Sequence, residues 1–445
     1  MSDNQYDAII IGAGVIGSAV AYELAQRGRR TLNIDKLPAS GYGSTSNSCA
    51  IIRFSYSTYD GVAMSWEGQH YWDNWADYLG GGVDGAVDER GLIDFIKCGT
   101  ALLKKEGGHH EKVIPLLTDL NIPHEDWDVE QLIERFPAFD GSVFGPPKRP
   151  DDDRFWDEPT ERLLGAVWTA DSGYISDPQL STHNLQRAAE NAGGRFVFNT
   201  EVTSIDIDAE SGNGRVTGVT TGDGRSFEAP VVVNVAGPHS FVINRMAGLE
   251  GTMKIKTRAL RHEVHHVASP EGVNYEATGC HVQDGDTGIY IRPEAGDNIL
   301  IGSEDPECDP QEWIEDPDEF DREVSAAQWE AQVLRLARRM PDLGVPNMKR
   351  GVVDLYDVAD DWIPIYDRTD LPGFYVAIGT SGNQYKNAGV AAHCMAELID
   401  AVEAGHDHDN DPVIVNGRYT GLALNLGSFS RNREINEDSS FSVNG

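Results

Sequence analysis

The sequence predicts an α/β fold of two domains, one built on a parallel sheet and one on an antiparallel or mixed sheet. Three observations favour this fold. Residues 6–35 run as an apolar strand, a glycine turn, a helix and a second apolar strand, the order of a parallel βαβ unit. Residues 374–402 repeat the strand, glycine turn and helix far along the chain. Residues 255–302 alternate between apolar and polar positions, as antiparallel strands do. The parallel domain is therefore expected to be discontinuous.

The glycine turn of the first segment has the spacing G-x-G-x-x-G. Gly12 permits the tight turn out of the strand, Gly14 lets the main chain approach a pyrophosphate, and Gly17 lets the helix pack closely on the sheet. Asp35 ends the second strand 18 residues after Gly17, where a carboxylate accepts both ribose hydroxyls and disfavours a 2′-phosphate. The segment predicts a Rossmann-like dinucleotide-binding domain, and glycines that serve packing alone are the alternative.

The composition limits the class of partner. The net charge is −36, from 72 acidic and 36 basic residues, and such a surface repels nucleic acids and anionic membranes. The five cysteines are scattered and form no CxxC motif, which fits a reducing compartment. No stretch resembles a membrane span or a secretory signal, so we expect a cytoplasmic protein. The acidity fits either a saline cytoplasm or simply a well-solvated surface.

Two further segments follow the opening unit. Residues 41–54 are dense in Gly, Ser, Thr and Asn, which suits a loop lying along a phosphate or a ring edge, although an ordinary surface loop has the same composition. Residues 59–79 predict a helix whose Trp and Tyr side chains pack in the core.

The middle of the chain supplies more elements of the same kind. Residues 177–191 predict a helix, and residues 231–235 are another apolar strand, followed by Ala236 and Gly237. A second glycine at the carboxyl end of a strand is where a doubly wound sheet meets its nucleotide. Residues 312–339 are highly charged and predict a helical outer layer.

These elements set the expected domain boundaries. The charged, proline-rich loop at 146–159 is the expected boundary between the lobes. We expect the nucleotide-binding domain at 1–90, 160–250 and 352–427, the second domain at 91–159 and 251–351, and a polar tail at 428–445.

A histidine-rich strand suggests a metal site, but its geometry does not suit one. In a strand, His262 and His266 point to one face while Glu263 and His265 point to the other. Because no compact set of three ligands results, we expect cross-strand polar contacts and no metal.

Five motifs together resemble a known family. They are GAGVIG at 12–17, STSNSCAIIRF at 44–54, NVAG at 234–237, YIRP at 290–293 and GTSGNQYK at 379–386. Over nearly the whole chain the pattern resembles the flavin amine-oxidising family, which contains D-amino-acid oxidase, glycine oxidase and monomeric sarcosine oxidase. The resemblance implies FAD in an extended pose, with its isoalloxazine between the nucleotide-binding domain and a substrate domain built on the antiparallel sheet.

The resemblance also implies a substrate site. In the family, an arginine of the IIR run and a lysine closing the GxSGxxxK turn hold the substrate carboxylate, and Arg53 and Lys386 match them. Two converging cations need an anion between them, although a surface ion pair is the alternative for Arg53. Tyr290 and Tyr356 fall where the family places substrate-facing tyrosines, and Asn383 replaces a histidine near the flavin. These five residues are the expected catalytic set.

The same motifs imply which residues bind the cofactor. The expected FAD-binding set is Gly12, Gly14, Val15, Ile16, Gly17, Asp35, Lys36, Ser44, Thr45, Ser46, Val202, Ala236, Gly237, Gly379, Ser381, Gly382, Asn383 and Lys386.

Four positions depart from the family pattern. Asp354 stands where sarcosine oxidase has the cysteine that bonds to the flavin, so we expect non-covalent, dissociable FAD. Leu300 replaces a lysine that activates oxygen, which favours a quinone or carrier protein over oxygen as the electron acceptor. Ala50 replaces a second arginine and Glu304 a histidine, so the pocket could take a larger or cationic amine.

Together these features imply an FAD-dependent oxidoreductase acting on an amino-acid-like secondary or N-methyl amine. Its C–N bond would be oxidised to an imine, which hydrolyses in water. Two alternatives stay open. One is a 2-hydroxy-acid dehydrogenase, for which His262 is the candidate base. The other is a non-catalytic flavin-binding subunit of a larger complex. The sequence does not indicate the oligomeric state.

Overall fold

The computed structural model describes residues 4–81, 87–208 and 214–445. The strands, in chain order, are β1 (Ala8–Ile11), β2 (Thr31–Ile34), β3 (Ile51–Ile52), β4 (Phe95–Ile96), β5 (Thr100–Lys104), β6 (Glu125–Trp127), β7 (Gly165–Thr169), β8 (Gly173–Ile175), β9 (Arg195–Val197), β10 (Val202–Asp208), β11 (Arg215–Thr221), β12 (Ser226–Glu228), β13 (Val232–Asn234), β14 (Thr257–Ala268), β15 (His281–Asp284), β16 (Ile289–Glu294), β17 (Asn298–Ser303), β18 (Glu312–Ile314), β19 (Gly351–Ala359), β20 (Ile365–Arg368), β21 (Phe374–Ile378), β22 (Ile414–Asn416) and β23 (Ala423–Asn425).

The helices follow the same numbering. They are α1 (Val15–Gln26), α2 (Tyr59–Asp73), α3 (Trp75–Tyr78), α4 (His110–Asp119), α5 (Val129–Arg135), α6 (Pro178–Asn191), α7 (Ser240–Met246), α8 (Tyr275–Thr278), α9 (Ala326–Arg339) and α10 (Ala388–Glu403), with short 3₁₀ turns at Gly237–His239, Tyr385–Asn387 and Leu426–Phe429. Within the described ranges, no helix has both the length and the apolar character that crossing a membrane requires.

A six-stranded sheet forms the first core, in the order β20-β21-β13-β1-β2-β9. Its pairs are parallel except for β20, which runs antiparallel to β21 at the edge. Strands β1, β13 and β21 are buried throughout, and α1 packs against α6 and α10. Since the strands come from three separate stretches of chain, the predicted α/β fold with a discontinuous parallel domain is confirmed.

The parallel pairing positions three turns side by side. β1, β13 and β21 are neighbours in the sheet and point the same way, so the turns that follow them share one edge. These turns begin at Gly12, Val235 and Gly379. The carboxyl edge of a parallel sheet is where such folds bind nucleotides.

The second large sheet has nine strands, ordered β18-β14-β17-β16-β15-β5-β7-β6, with β19 paired to β14. Most pairs are antiparallel, whereas β15 and β5 are parallel, so the predicted antiparallel or mixed sheet is confirmed. β7 and β19 belong to this sheet, although the expected boundaries at 160 and 352 assign β7 and nearly all of β19 to the nucleotide-binding domain. We propose domain limits that follow sheet membership.

Two predicted helices differ from those in the structure. Within 312–339, the first three residues form β18 on the edge of β14, and α9 begins only after Ser325, whose hydroxyl accepts a hydrogen bond from the main-chain N–H of Gln328. Pro317 and the acidic run around it separate strand and helix. The helix predicted at 59–79 is interrupted at Asn74, which divides α2 from α3.

Candidate active site

An open cavity lies at the carboxyl edge of the six-stranded sheet, and its empty space, counted together with the solvent at its mouth, is about 1320 Å³. One end of its wall is formed by the turn after β1 and by the turn after β21. The other end is formed by strands of the nine-stranded sheet, among them β14, β16 and β19. The cavity therefore joins the predicted nucleotide-binding edge to the sheet predicted to hold the substrate.

Two glycines of the turn after β1 and of the start of α1 have no room for a side chain. Gly12 has a φ of +112°, and a Cβ there would lie 2.3 Å from the carbonyl oxygen of Val235. A Cβ at Gly17 would lie 2.2 Å from the carbonyl oxygen of Gly12. Gly14 borders the cavity, where a Cβ would meet the Thr45 hydroxyl oxygen at 3.3 Å. The main chain is thus open to a ligand at Gly14, as pyrophosphate binding requires.

The carboxylate of Asp35 is held by the main chain of the same edge. One oxygen accepts the N–H of Ala13 at 2.7 Å and the other accepts the N–H of Leu37 at 2.8 Å. Burial raises the pKa of Asp35, and these two hydrogen bonds oppose the shift. The side chain of Lys36 contacts His239 and Asp318, and Lys36 lies outside the cavity wall.

The serine-rich loop closes one side of the cavity. The hydroxyl of Ser44 donates to the carbonyl oxygen of Leu355 at 2.9 Å, and Asn47 donates to the carboxylate of Asp354 at 2.6 Å. Asp354, the expected substitute for a flavin-linked cysteine, lines the cavity. Cys49 also lines it, but burial raises the pKa of its thiol and so disfavours the nucleophilic thiolate.

The polar atoms of the cavity fit an extended flavin dinucleotide. The Nδ2 atom of Asn383 and the Oδ1 atom of Asp357 are buried and have no hydrogen-bond partner among the described residues. The other oxygen of Asp357 accepts the N–H of Gly379 at 2.6 Å, and burial raises the pKa of this carboxyl to about 7. An unpaired amide donor at Asn383 and a glycine cradle are what a polar, phosphate-bearing ligand would satisfy.

Arg53 lies at the opposite end of the wall, with 7% of its surface exposed. Its guanidinium donates to the carbonyl oxygens of Ser55 at 2.9 Å and Val443 at 2.6 Å. It also lies over the ring of Tyr56, 4.5 Å from the centroid. Among the described residues, no carboxylate is within ion-pair distance of this charge.

Lys386 is close to Arg53 but does not line the cavity. It is 1% exposed, and its Nζ atom donates to the Tyr56 hydroxyl and to the carbonyl oxygen of Asn383. Its nitrogen lies 4.0 Å from the centroid of the Tyr56 ring, so Arg53 and Lys386 contact the same ring. Burial, aided by Arg53, lowers the pKa of Lys386 well below its ordinary value.

The two predicted tyrosines lie together in the cavity wall at the substrate end. Burial raises the pKa of both Tyr290 and Tyr356, so both are neutral hydrogen-bonding groups. Tyr290 contacts the Cys49 sulfur at 3.5 Å. The ring of His262 stacks on Tyr356 at 4.2 Å between centroids, and His262 Nε2 lies 2.8 Å from a carboxylate oxygen of Asp305.

Sequence reasoning missed several residues at this end. Tyr56, Gln283, Val443 and Asn444 all line the cavity, and the side-chain amide of Gln283 donates to that of Asn444 at 2.8 Å. Glu304, noted only as a departure from the family, also lines the cavity, and burial raises its pKa to about 8. Tyr56 could have been found from the sequence, because it is an aromatic residue close to the IIR run. Nothing in the composition of the polar tail indicates that Val443 and Asn444 return to the site.

The predicted set divides into two groups. Residues on the cavity wall are Gly14, Val15, Ile16, Gly17, Ser44, Thr45, Arg53, Gly237, Tyr290, Tyr356, Gly382 and Asn383. Within the described ranges, those off the wall are Gly12, Asp35, Lys36, Ser46, Val202, Ala236, Gly379, Ser381 and Lys386. Val202 belongs to β10 and packs in a hydrophobic cluster with Leu32, and Leu300 packs against the cluster that contains Tyr290.

Comparisons with known proteins agree with this geometry. The glycine oxidase of Geobacillus kaustophilus (strain HTA426) is 23% identical over 414 residues, which cover 91% of this chain and 95% of that protein. A crystal structure of glycine oxidase from Geobacillus kaustophilus superposes on this chain with a TM-score of 0.69 at 21% identity. The superposition covers 97% of this chain and all of that chain. Human mitochondrial sarcosine dehydrogenase is 29% identical over 222 residues, which cover 49% of this chain but 23% of that protein.

A family model matches a longer part of this chain than a single domain. The model of the DAO family, described as FAD dependent oxidoreductase, matches residues 7–398. That range contains both sheets and every predicted site residue. With the family pattern matched across most of its length, this chain belongs to the FAD-dependent oxidoreductases of the DAO family.

Proposed function

We propose that this protein oxidises the C–N bond of an amino-acid-like amine, secondary or N-methylated, to an imine that hydrolyses in water. The observation that carries the proposal is the buried guanidinium of Arg53, which faces the cavity without a carboxylate partner among the described residues. A buried cation in such a site favours an anionic substrate group. Its relatives include a glycine oxidase and a sarcosine dehydrogenase, whose names give amino-acid substrates.

Each residue of the substrate end has a proposed role. Arg53 would bind the substrate carboxylate directly. Lys386, which lies on the same tyrosine ring, would gain its proton when that anion binds, and so would strengthen the hold on it. Tyr290 and Tyr356 would frame the amine, and Asn383 would direct its unpaired amide N–H into the cavity.

FAD, when bound, accepts a hydride from the carbon beside the nitrogen. The glycine cradle at Gly14 and the loop at Thr45 would hold its phosphates, and Asp35 would meet the ribose. The protein then contributes orientation: the carboxylate at Arg53 sets which carbon faces the flavin. The electron acceptor would be oxygen, a carrier protein or a quinone.

Non-covalent binding of FAD gives a direct prediction. Asp354 cannot form a thioether, and the buried thiol of Cys49 is held in its unreactive protonated form. Acid precipitation of the purified holoprotein should therefore release the flavin into the supernatant, measured by absorbance. Yellow colour that stays with the pellet would contradict this expectation.

A second candidate, oxidation of a 2-hydroxy acid, rests on one observation. His262 lines the cavity and its Nε2 lies 2.8 Å from Asp305, the arrangement of a histidine base oriented by a carboxylate. Such a base suits removal of a hydroxyl proton. The Arg53 contact would serve the carboxylate of either substrate class.

Anaerobic bleaching of the flavin distinguishes these functions. Purified holoprotein is mixed with a panel of amino acids, N-methyl amino acids and 2-hydroxy acids, and loss of the visible flavin absorbance is followed. We expect bleaching by one or more amines and none by hydroxy acids. Bleaching by hydroxy acids alone would establish the second candidate. A flavin that dithionite reduces but no panel member bleaches would indicate a non-catalytic subunit.

A further inference from the structure

A tail segment, residues 439–445, enters the cavity from outside the stretch matched by the family model, which ends at residue 398. Val443 is 4% exposed and Asn444 is 6% exposed, and both form part of the cavity wall. The family pattern therefore does not account for this part of the substrate end.

Val443 accepts one of the two hydrogen bonds given for Arg53. Its carbonyl oxygen accepts from Arg53 Nη2 at 2.6 Å, and the contact is buried. Gly445 lies next to Tyr56, where a Cβ on the glycine would come within 2.9 Å of the ring. A neutral carbonyl is a weaker partner for a guanidinium than a carboxylate, which binds with charge and with two oxygens.

Asn444 lies at a second polar position of the same end. Its side-chain oxygen accepts from the amide of Gln283 at 2.8 Å, and its side chain lowers the pKa of the Glu304 carboxyl against the effect of burial. Glu304 is 9% exposed, and its Oε1 atom has no hydrogen-bond partner among the described residues. The site thus has an uncompensated cation at Arg53 and an under-satisfied carboxyl at Glu304.

One hydrogen bond of Ser439 ties the start of this segment to the rest of the protein, and other hydrogen bonds join residues at its end to each other. The Ser439 hydroxyl donates to the carbonyl oxygen of Asp361 at 2.6 Å. At the tip, the N–H groups of Asn444 and Gly445 bond to the hydroxyl and carbonyl oxygens of Ser442, at 3.2 and 3.0 Å. These bonds are kept if Ser442 moves together with residues 443–445, whereas the bonds of Val443 to Arg53 and of Asn444 to Gln283 must break when these residues leave the cavity.

We propose that the tip of the tail, residues 443–445, is a displaceable occupant of the substrate site, which a zwitterionic amino acid replaces by placing its carboxylate on Arg53 and its amino group at Glu304. This inference rests on the proposed function. The Val443 carbonyl and the Asn444 amide take the places of the two polar ends of that substrate. Compounds that carry both ends displace the tip better than compounds with one.

The test uses full-chain holoprotein and a probe that cannot react. 2-Aminoisobutyrate has a carboxylate and an amine but no hydrogen on the carbon between them, and isobutyrate lacks the amine. Binding is followed by the shift of the flavin absorption band, and amide hydrogen exchange of residues 439–445 is measured with and without probe. We expect 2-aminoisobutyrate to speed exchange in this segment and isobutyrate to bind more weakly.

A matched pair of variants isolates the tip. Val443→Gly removes the side chain that packs the tip near Tyr290, and should tighten 2-aminoisobutyrate binding by about three- to tenfold, because a looser tip leaves the site free more of the time. Glu437→Gln alters an exposed residue of the same tail and should leave binding unchanged. If Val443→Gly binds 2-aminoisobutyrate and the parent protein does not, the proposal is also supported.

Three outcomes would overturn the inference. They are slower or unchanged exchange of residues 439–445 with probe bound, weaker probe binding by Val443→Gly than by the parent protein, and absence of binding by both proteins. The first two would make the tail a fixed wall of the site. These measurements do not require turnover. If no amine bleaches the flavin but the probe still displaces residues 443–445, the proposed function is contradicted and this inference is supported.

Discussion

Arg53 illustrates how one buried charge can organise a site. Its guanidinium is satisfied by two main-chain carbonyls and by the face of Tyr56, three neutral partners. Neutral partners keep a buried cation in place without cancelling its charge, so attraction for an anion remains. The substrate specificity that we propose depends on this property.

Replacing Arg53 gives the first residue-scale prediction. Arg53→Met should raise KM for a carboxylate substrate by about 10- to 150-fold, equivalent to losing a charged hydrogen bond of roughly 1.5–3 kcal/mol. FAD content should stay the same, since Arg53 lies at the substrate end. Steady-state kinetics and the flavin absorbance ratio measure both effects. Arg245→Met, a change at an exposed arginine, is the control, and an unaltered KM in Arg53→Met would remove the carboxylate assignment.

Glu304 gives a prediction about pH. Burial raises its pKa from 4.5 to about 8, with Arg53 opposing and Asp284 adding to the shift. Between these values the folded protein holds a proton that the unfolded chain releases. The free energy of unfolding should therefore fall as pH rises from about 4.5 to 8, by up to about 1.4 kcal/mol per pH unit from this group.

Glu304→Gln tests that prediction, because the amide does not titrate. Denaturant unfolding at a series of pH values should give a flatter profile for the variant than for the parent protein. Glu250→Gln, at an exposed glutamate, should leave the profile unchanged. Parallel profiles for Glu304→Gln and the parent would mean that Glu304 is ionised in the folded protein throughout.

At the scale of the element, the turn between β1 and α1 depends on close main-chain contact. Gly12→Ala combines a positive φ with a Cβ 2.3 Å from the Val235 carbonyl oxygen, and should cost about 2–4 kcal/mol and impair FAD binding. Gly28→Ala is the matched control: Gly28 also has a positive φ, of +79°, but a Cβ there meets nothing within 4 Å, and it should cost about 1 kcal/mol. Chemical denaturation and FAD titration compare the two, and equal losses would refute the packing argument.

Local patterns made much of the fold predictable. The unit β1-α1-β2 could be predicted because its apolar runs, glycine spacing and final acid are all contained in thirty neighbouring residues. Residues 312–314 could not, since their pairing with β14 outweighs the helical composition around them. The contact between Arg53 and Val443 joins residues 390 positions apart, and no periodicity encodes such a contact.

The whole molecule carries a net charge of −36, which repels itself when the chain is compact. Raising KCl from about 0.05 M to about 0.5 M at pH 7 shortens the screening length and should raise Tm. At pH 5, close to the pI of about 4.5, the net charge is small and the same salt step should have much less effect. Calorimetry at both pH values measures this. An equal rise at both would point to a general salt effect and not to charge repulsion.

The interleaved strand order constrains how the polypeptide is made. β21 at Phe374–Ile378 pairs with β13, and β14 to β19 complete a sheet begun by β5. A nascent chain that has emerged only to residue 234 therefore presents the bare edge of β13 and three of the nine strands of the second sheet, both prone to pairing with other chains. Biosynthesis must pass residue 284 before β15 covers the edge of β5, and residue 378 before β21 covers the edge of β13. Protection of the unfinished chain by chaperones therefore matters most during translation.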